Sequence, residues 1–149
     1  MSAAGPQPRR RRARELVLRG LYERQVGRGD ANAIAASLEA GPEFADADAE
    51  YFRALWQGVT RRYDELVATV APDVDRRVDE LAPIERALLV IGTWELAHRL
   101  EIPYRVVISE GIELAKRYGG TDGHKFVNAV LDRVAARLRA DEIRALRGA

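Results

Sequence analysis

At 149 residues, with 47% hydrophobic and 32% charged side chains, the chain has the size and composition of one soluble globular domain with a single core. No apolar run reaches the roughly 20 residues of a membrane span, no hydrophobic stretch follows the basic N-terminus as in a secretory signal, and the absence of cysteine excludes disulfides and thiolate metal sites, which fits a reducing, cytoplasmic setting. Net charge is only +1, yet residues 1–14 hold five arginines and no acid, while the remainder carries 19 basic and 23 acidic side chains. A basic arm on a mildly acidic body suits a polyanion bound at one place.

Residues 1–8, small and rich in proline and glycine, read as a disordered tail. A helix is expected from about Arg9, with Ala13, Leu16, Val17 and Leu21 on its apolar face and Arg10, Arg14 and Tyr22 on the other, ending at Gly27 and Gly29. Asp30 can cap a short helix through Ile34 and Leu38 that Gly41-Pro42 closes. Asp46 or Asp48 opens a longer helix, in which Phe52, Leu55, Trp56, Val59, Tyr63, Leu66 and Val70 recur every three or four residues until Pro72. A short helix through Val74, Val78 and Leu81 follows.

Pro83 then begins the most apolar segment, Ile84 to Leu100, whose hydrophobic residues cover more than one face, as in a central helix packed on several sides. Gly92 costs that helix about 1 kcal/mol of propensity relative to alanine, which is reasonable where a neighbouring helix crosses closely. Pro103 opens another helix, with Val107, Ile108, Ile112, Leu114, Ala115 and Tyr118 inward. Gly119 and Gly120 are expected to end it in the left-handed region. Thr121 or Asp122 can cap the last long helix, which carries Phe126, Val127, Val130, Leu131 and Val134 inward. With no sustained period-two pattern, the fold class is all-α: a single-domain bundle of about seven helices over 9–138, with a C-terminal tail at 139–149.

Two stretches stand out chemically. Arg9, Arg10, Arg11, Arg12 and Arg14 lie within six positions, and their guanidinium forks suit phosphates and nucleobase faces. The Gly119–Lys125 turn feeds a helix N-terminus and so reads either as a phosphate seat with Lys125 adding charge, or as a plain connector. It is not a P-loop, because Lys125 is followed by Phe126 rather than Ser or Thr and no strand precedes it. His98 and His124 without cysteines make a poor metal site, so neither metal nor cofactor is expected. The acids sit among arginines at helical spacing, as Glu113 does with Arg117, and no pair is singled out for catalysis. No enzyme is inferred, although a small hydrolase stays open, as does a DNA-binding protein that uses the arginine run.

The stretch PYRVVISEGIELAKRYGGTDGHKFVNAVLDRV, from Pro103 to Val134, resembles the C-terminal signature of the NusB family of bacterial transcription antitermination factors. The likeness extends to the arginine run before Glu15, to Leu21-Tyr22, to Tyr51-Phe52 with Gly58-Val59, and to Glu85-Arg86-Ala87 followed by Trp94-Glu95-Leu96. Gly120 and Gly123 depart from it, standing where bulkier residues are expected.

The resemblance implies a non-enzymatic adaptor that binds single-stranded boxA RNA in ribosomal RNA leaders with NusE, a small-subunit ribosomal protein. Its setting would be the RNA polymerase elongation complex with other Nus factors. It implies RNA contacts from the arginine run, from Tyr22 stacking on an unpaired base, and from Lys125 and Phe126, with Asp122 tuning that surface. It places Glu85 and Arg86 toward NusE. From the residues alone, Tyr22 reads as a half-buried core aromatic and Glu85 as an acid favouring its helix N-terminus. Some members of the family self-associate, and the sequence leaves a homodimer open. A related role, as the accessory domain of an rRNA methyltransferase, is disfavoured because the chain has no room for a catalytic domain.

Overall fold

A computed structural model describes residues 6–148, with side chains from residue 8 onward. Among these residues are eight α-helices and no strand, in agreement with the all-α reading. They are α1 (Pro6–Gly27), α2 (Ala31–Ala40), α3 (Ala49–Arg61), α4 (Tyr63–Val70), α5 (Pro83–His98), α6 (Tyr104–Tyr118), α7 (Gly123–Leu138) and α8 (Ala140–Gly148). Short 3₁₀ turns occupy Pro42–Asp46, Ala71–Asp73 and Val78–Glu80. The backbone forms two compact units, the first ending at Arg62 and the second starting at Tyr63.

In the first unit α1 packs on α3, with α2 alongside. Helix α1 starts at Pro6, three residues before the expected Arg9, because Pro6 and Pro8 fall in its first turn, where no N–H is needed. Of the expected tail over 1–8, residues 1–5 lie outside the described residues. Gly20 lets α1 come close to its neighbours: a Cβ there would lie 2.6 Å from the Trp56 ring and 2.9 Å from a Leu38 methyl. Two acids cap as their positions suggest. Asp30 accepts from the Ala33 N–H and Asp48 from the Tyr51 N–H, each at 3.0 Å. Between Asp46 and Asp48, the cap is Asp48.

The long helix expected from Asp48 to Val70 is two helices. Arg62 leaves helical geometry (φ −109°, ψ 20°) and ends α3, so the apolar periodicity runs across a break that side-chain spacing does not register. The helix expected around Val74–Leu81 is likewise replaced by two 3₁₀ turns flanking an irregular stretch. Charged residues dominate there, and only Val78 and Leu81 are buried, too few to hold a helix face.

The second unit is built around α5, with α4, α6 and α7 packed on it. Every residue from Ala87 to Leu96 is buried, as the apolar run suggested. The close crossing expected at Gly92 is present: a Cβ there would lie 2.8 Å from both methyls of Leu131 on α7. Gly111 on α6 leaves room for the same side chain, with its own Cβ position 3.2 Å from Leu131. Leu131 therefore fills a hollow that the two glycines leave between their helices. The segment 139–149, read as a tail, carries α8, which packs on α7.

Candidate nucleic-acid interface

The arginine run is the start of α1, and most of it is tied to the first unit. Arg9 donates to the Ala47 carbonyl at 2.9 Å, while its own carbonyl accepts the Asp48 N–H at 3.0 Å. Arg10 holds its guanidinium 4.5 Å from the centre of the Tyr51 ring. Arg12 donates to Glu15 at 2.6 Å. Arg14 departs from expectation: only 2% exposed, it stacks on Tyr51 at 5.5 Å and belongs to the core of the unit. Arg14 cannot meet a phosphate without leaving that core. The one-sided pattern that placed Arg14 outward fails because every residue from Ala13 to Leu18 is buried.

Arg11 and Tyr22 remain at the surface, and Tyr22 is 43% exposed. Eleven helical residues bring the two within about 20° of one another around α1 and about 16 Å apart along it. Arg19, exposed on the same helix, pairs with Glu43 at 3.2 Å. The backbone N–H of Glu43 and this arginine hold its carboxyl below the usual carboxylate range. An exposed ring in line with an exposed cation can stack a base and hold its backbone.

In the second unit the turn between α6 and α7 has an arrangement that spacing did not foretell. Among the described residues no glycine has positive φ. Gly119 closes α6 in extended geometry (φ −87°, ψ 177°), and its N–H donates to the Ala115 carbonyl at 2.8 Å. The left-handed residue is instead Asp122 (φ 65°, ψ 4°), at the N-cap position of α7. Its carboxylate does not cap that helix; it pairs at 3.2 Å with Lys125, and both side chains are largely exposed.

The glycines serve close approach. A Cβ on Gly119 would lie 2.5 Å from Oε2 of Glu85 and 2.7 Å from the Ala115 carbonyl oxygen, and one on Gly123 would overlap the same carboxylate. Gly120 has open space around it, but its N–H donates to Glu85 Oε2 at 3.3 Å. Glu85 is thus only 7% exposed and its carboxylate faces the turn. Arg86, partly exposed, donates to the Asp79 carbonyl at 3.2 Å.

Phe126, expected inward, is half-buried, and the guanidinium of Arg76 lies 5.7 Å from its ring centre. Arg76 was not singled out in the sequence, because fifty residues separate it from Phe126 and only folding pairs them. Arg117 stacks likewise on Tyr118, at 5.7 Å. The turn therefore lies between two arginine-faced rings in the sequence, with Lys125 beside the second. No helix among the described residues is long and apolar enough to cross a membrane.

Comparison with known proteins assigns the family. The NusB family model matches residues 11–136. The transcription antitermination protein NusB of Methylobacillus flagellatus is 54% identical over 133 residues, covering 89% of this chain and 86% of that protein. The protein of the same name from Nitrosomonas europaea is 50% identical over 139 residues, covering 93% and 83%. The solved structure of T. maritima NusB superposes with a TM-score of 0.78 at 28% identity, covering 86% of this chain and 91% of that one. The chain belongs to the NusB family of transcription antitermination proteins.

Proposed function

We propose that this chain acts in the cytoplasm as an RNA-binding adaptor that joins NusE on boxA-type single-stranded RNA in ribosomal RNA leaders, within the RNA polymerase elongation complex. The observation that carries the reading is the alignment of exposed Tyr22 with Arg11 on one face of α1. Tyr22 supplies the stacking surface, and Arg11 with the outer edges of Arg9, Arg10 and Arg12 supplies phosphate contacts. Buried Arg14 serves by holding Tyr51 and the start of α1 in place. Asp122, Lys125 and Phe126 form the second contact region, and Arg86 takes the protein partner. Family membership supports this reading.

The test is binding of boxA RNA and of a scrambled RNA of equal length, with and without NusE, across a salt series. A boxA preference that sharpens with NusE is expected. For a single strand the logarithmic salt slope is about −0.7 per neutralised phosphate, so replacing Arg9–Arg12 by alanine flattens it. Tyr22→Ala weakens binding by about 1–3 kcal/mol, the scale of one stacked base, and Tyr22→Phe by far less. Equal affinity for both RNAs, unmoved by NusE, overturns the reading, and a preference for duplex DNA at matched salt replaces it with a DNA-binding one.

A further inference from the structure

We propose that Glu85 is a positioning residue for RNA binding: its buried carboxylate holds the 119–123 turn in the conformation that presents Asp122, Lys125 and Phe126. The inference rests on the functional reading above and deepens it.

The geometry is unusual for an acid in the first turn of a helix, where a carboxylate would ordinarily extend into water. Here the side chain of Glu85 is buried under the turn, and Oε2 accepts the Gly120 N–H at 3.3 Å. A carboxylate withdrawn from water needs compensating donors or positive charge. Two helix beginnings provide it. Glu85 stands near the start of α5, and Gly123, the first residue of α7, is so close that its Cβ position lies 3.2 Å from Glu85 Cδ. Helix N-termini carry partial positive charge and unsatisfied N–H groups.

This division of labour explains Asp122. The usual capping residue of α7 makes no capping bond, and Glu85 brings negative charge to that helix start instead. Asp122 is then left outward, in left-handed geometry, to pair with Lys125. The glycines complete the account. Side chains at 119 or 123 would occupy the space the carboxylate fills, whereas one at 120 would meet nothing within 4 Å. The substitution pattern that matters is therefore asymmetric within one turn.

The experiment uses the full chain, with boxA RNA affinity at fixed salt, hydrogen exchange of the Gly120 amide and a melting curve measured for each variant. Glu85→Ala raises Kd about tenfold, the scale of one lost hydrogen bond to a charged group, and speeds Gly120 exchange. Glu85→Gln keeps a carbonyl acceptor and stays within about threefold of the parent on the same scale. Gly123→Ala displaces the carboxylate with Glu85 intact and follows Glu85→Ala; Gly120→Ala binds like the parent. Parental RNA affinity in a folded Glu85→Ala or Gly123→Ala protein overturns the proposal, as does Glu85→Gln failing as badly as Glu85→Ala. If Glu85→Ala does not fold, Gly123→Ala decides. If the parent itself shows no boxA preference, the functional reading has failed, while unchanged Gly120 exchange in Glu85→Ala separately rejects the strut.

Discussion

Arg139 and Glu142, three residues apart, join the end of α5 to the beginning of α6. The guanidinium of Arg139 donates to the carbonyls of Leu96 (2.8 Å), Ile102 (2.9 Å), Arg99 (3.0 Å) and Glu95 (3.2 Å), and to Glu142 Oε1 at 2.5 Å. Glu142 Oε2 accepts the Tyr104 N–H at 3.0 Å, the first of α6. The last carbonyls of a helix and the first N–H groups of another have no partners of their own. One ion pair satisfies both ends, with the cation at the negative end of one dipole and the anion at the positive end of the other.

Arg139→Ala removes the donor to four carbonyls and leaves Glu142 without its cation. Arg139 is 4% exposed, so water cannot readily take its place. A loss of about 3–5 kcal/mol is expected, the scale for breaking a buried pair from one side. Arg139→Lys recovers only part of this, because an ammonium cannot span the four acceptors as the planar fork does. Denaturant unfolding of the three proteins checks the order.

Gly92 and Leu131 yield a prediction that changes sign with background. Gly92→Ala gains about 1 kcal/mol of helix propensity, but overpacks Leu131 at a cost of about 1–3 kcal/mol, so the protein is destabilised. Leu131 is fully buried between α5 and α6 and cannot swing away. Leu131→Ala alone costs about 2–5 kcal/mol through the cavity it leaves. In that cavity the Gly92→Ala methyl has room, and the second substitution stabilises. A double-mutant cycle by urea unfolding reads the coupling directly.

What could be read in advance follows from what kind of force decides each feature. Helices α1, α5, α6 and α7 and the caps at Asp30 and Asp48 are set locally, by periodicity and by an oxygen three residues from its N–H. Gly92 was legible because a costly glycine in a central helix implies a neighbour. The break at Arg62 was not, since apolar spacing continues through it. The turn misled for a related reason: glycine usually signals left-handed backbone, whereas here it signals a carboxylate 35 residues away. Arg14, Arg76 and Arg139 show the same limit, because an arginine in a sequence looks like surface charge until its distant partner is placed. Of the candidate RNA residues, the exposure of Tyr22 and the burial of Arg14 are both tertiary facts.

Glu43 makes the stability of the first unit respond to acid. Its carboxyl is held below its ordinary value, first by its own backbone N–H and then by Arg19. A depressed value in the folded state means the contribution is complete above the ordinary carboxylate range and is lost as pH falls through the folded value. The pair lies at the surface, with both side chains partly open to solvent, so the effect is small and weakens with salt. The melting temperatures of the parent and Glu43→Gln should therefore differ at neutral pH and converge under acid. A difference that persists at the lowest pH would assign Glu43 a role unrelated to its charge.

Asp122 and Lys125 give the last prediction, on affinity. Their 3.2 Å pair is exposed, so it adds little to stability, yet it places a negative charge beside the cation offered to RNA. Asp122→Asn keeps a residue that tolerates left-handed backbone and removes the charge. Melting should stay within about 0.5 kcal/mol of the parent in free-energy terms. RNA affinity should rise severalfold at low salt and less at high salt, because Lys125 then competes for phosphate without an adjacent anion. Lys125→Ala in the Asp122→Asn background should erase the gain. If Asp122→Asn raises affinity equally with and without Lys125, the acid acts by repelling the RNA itself and the pair is incidental.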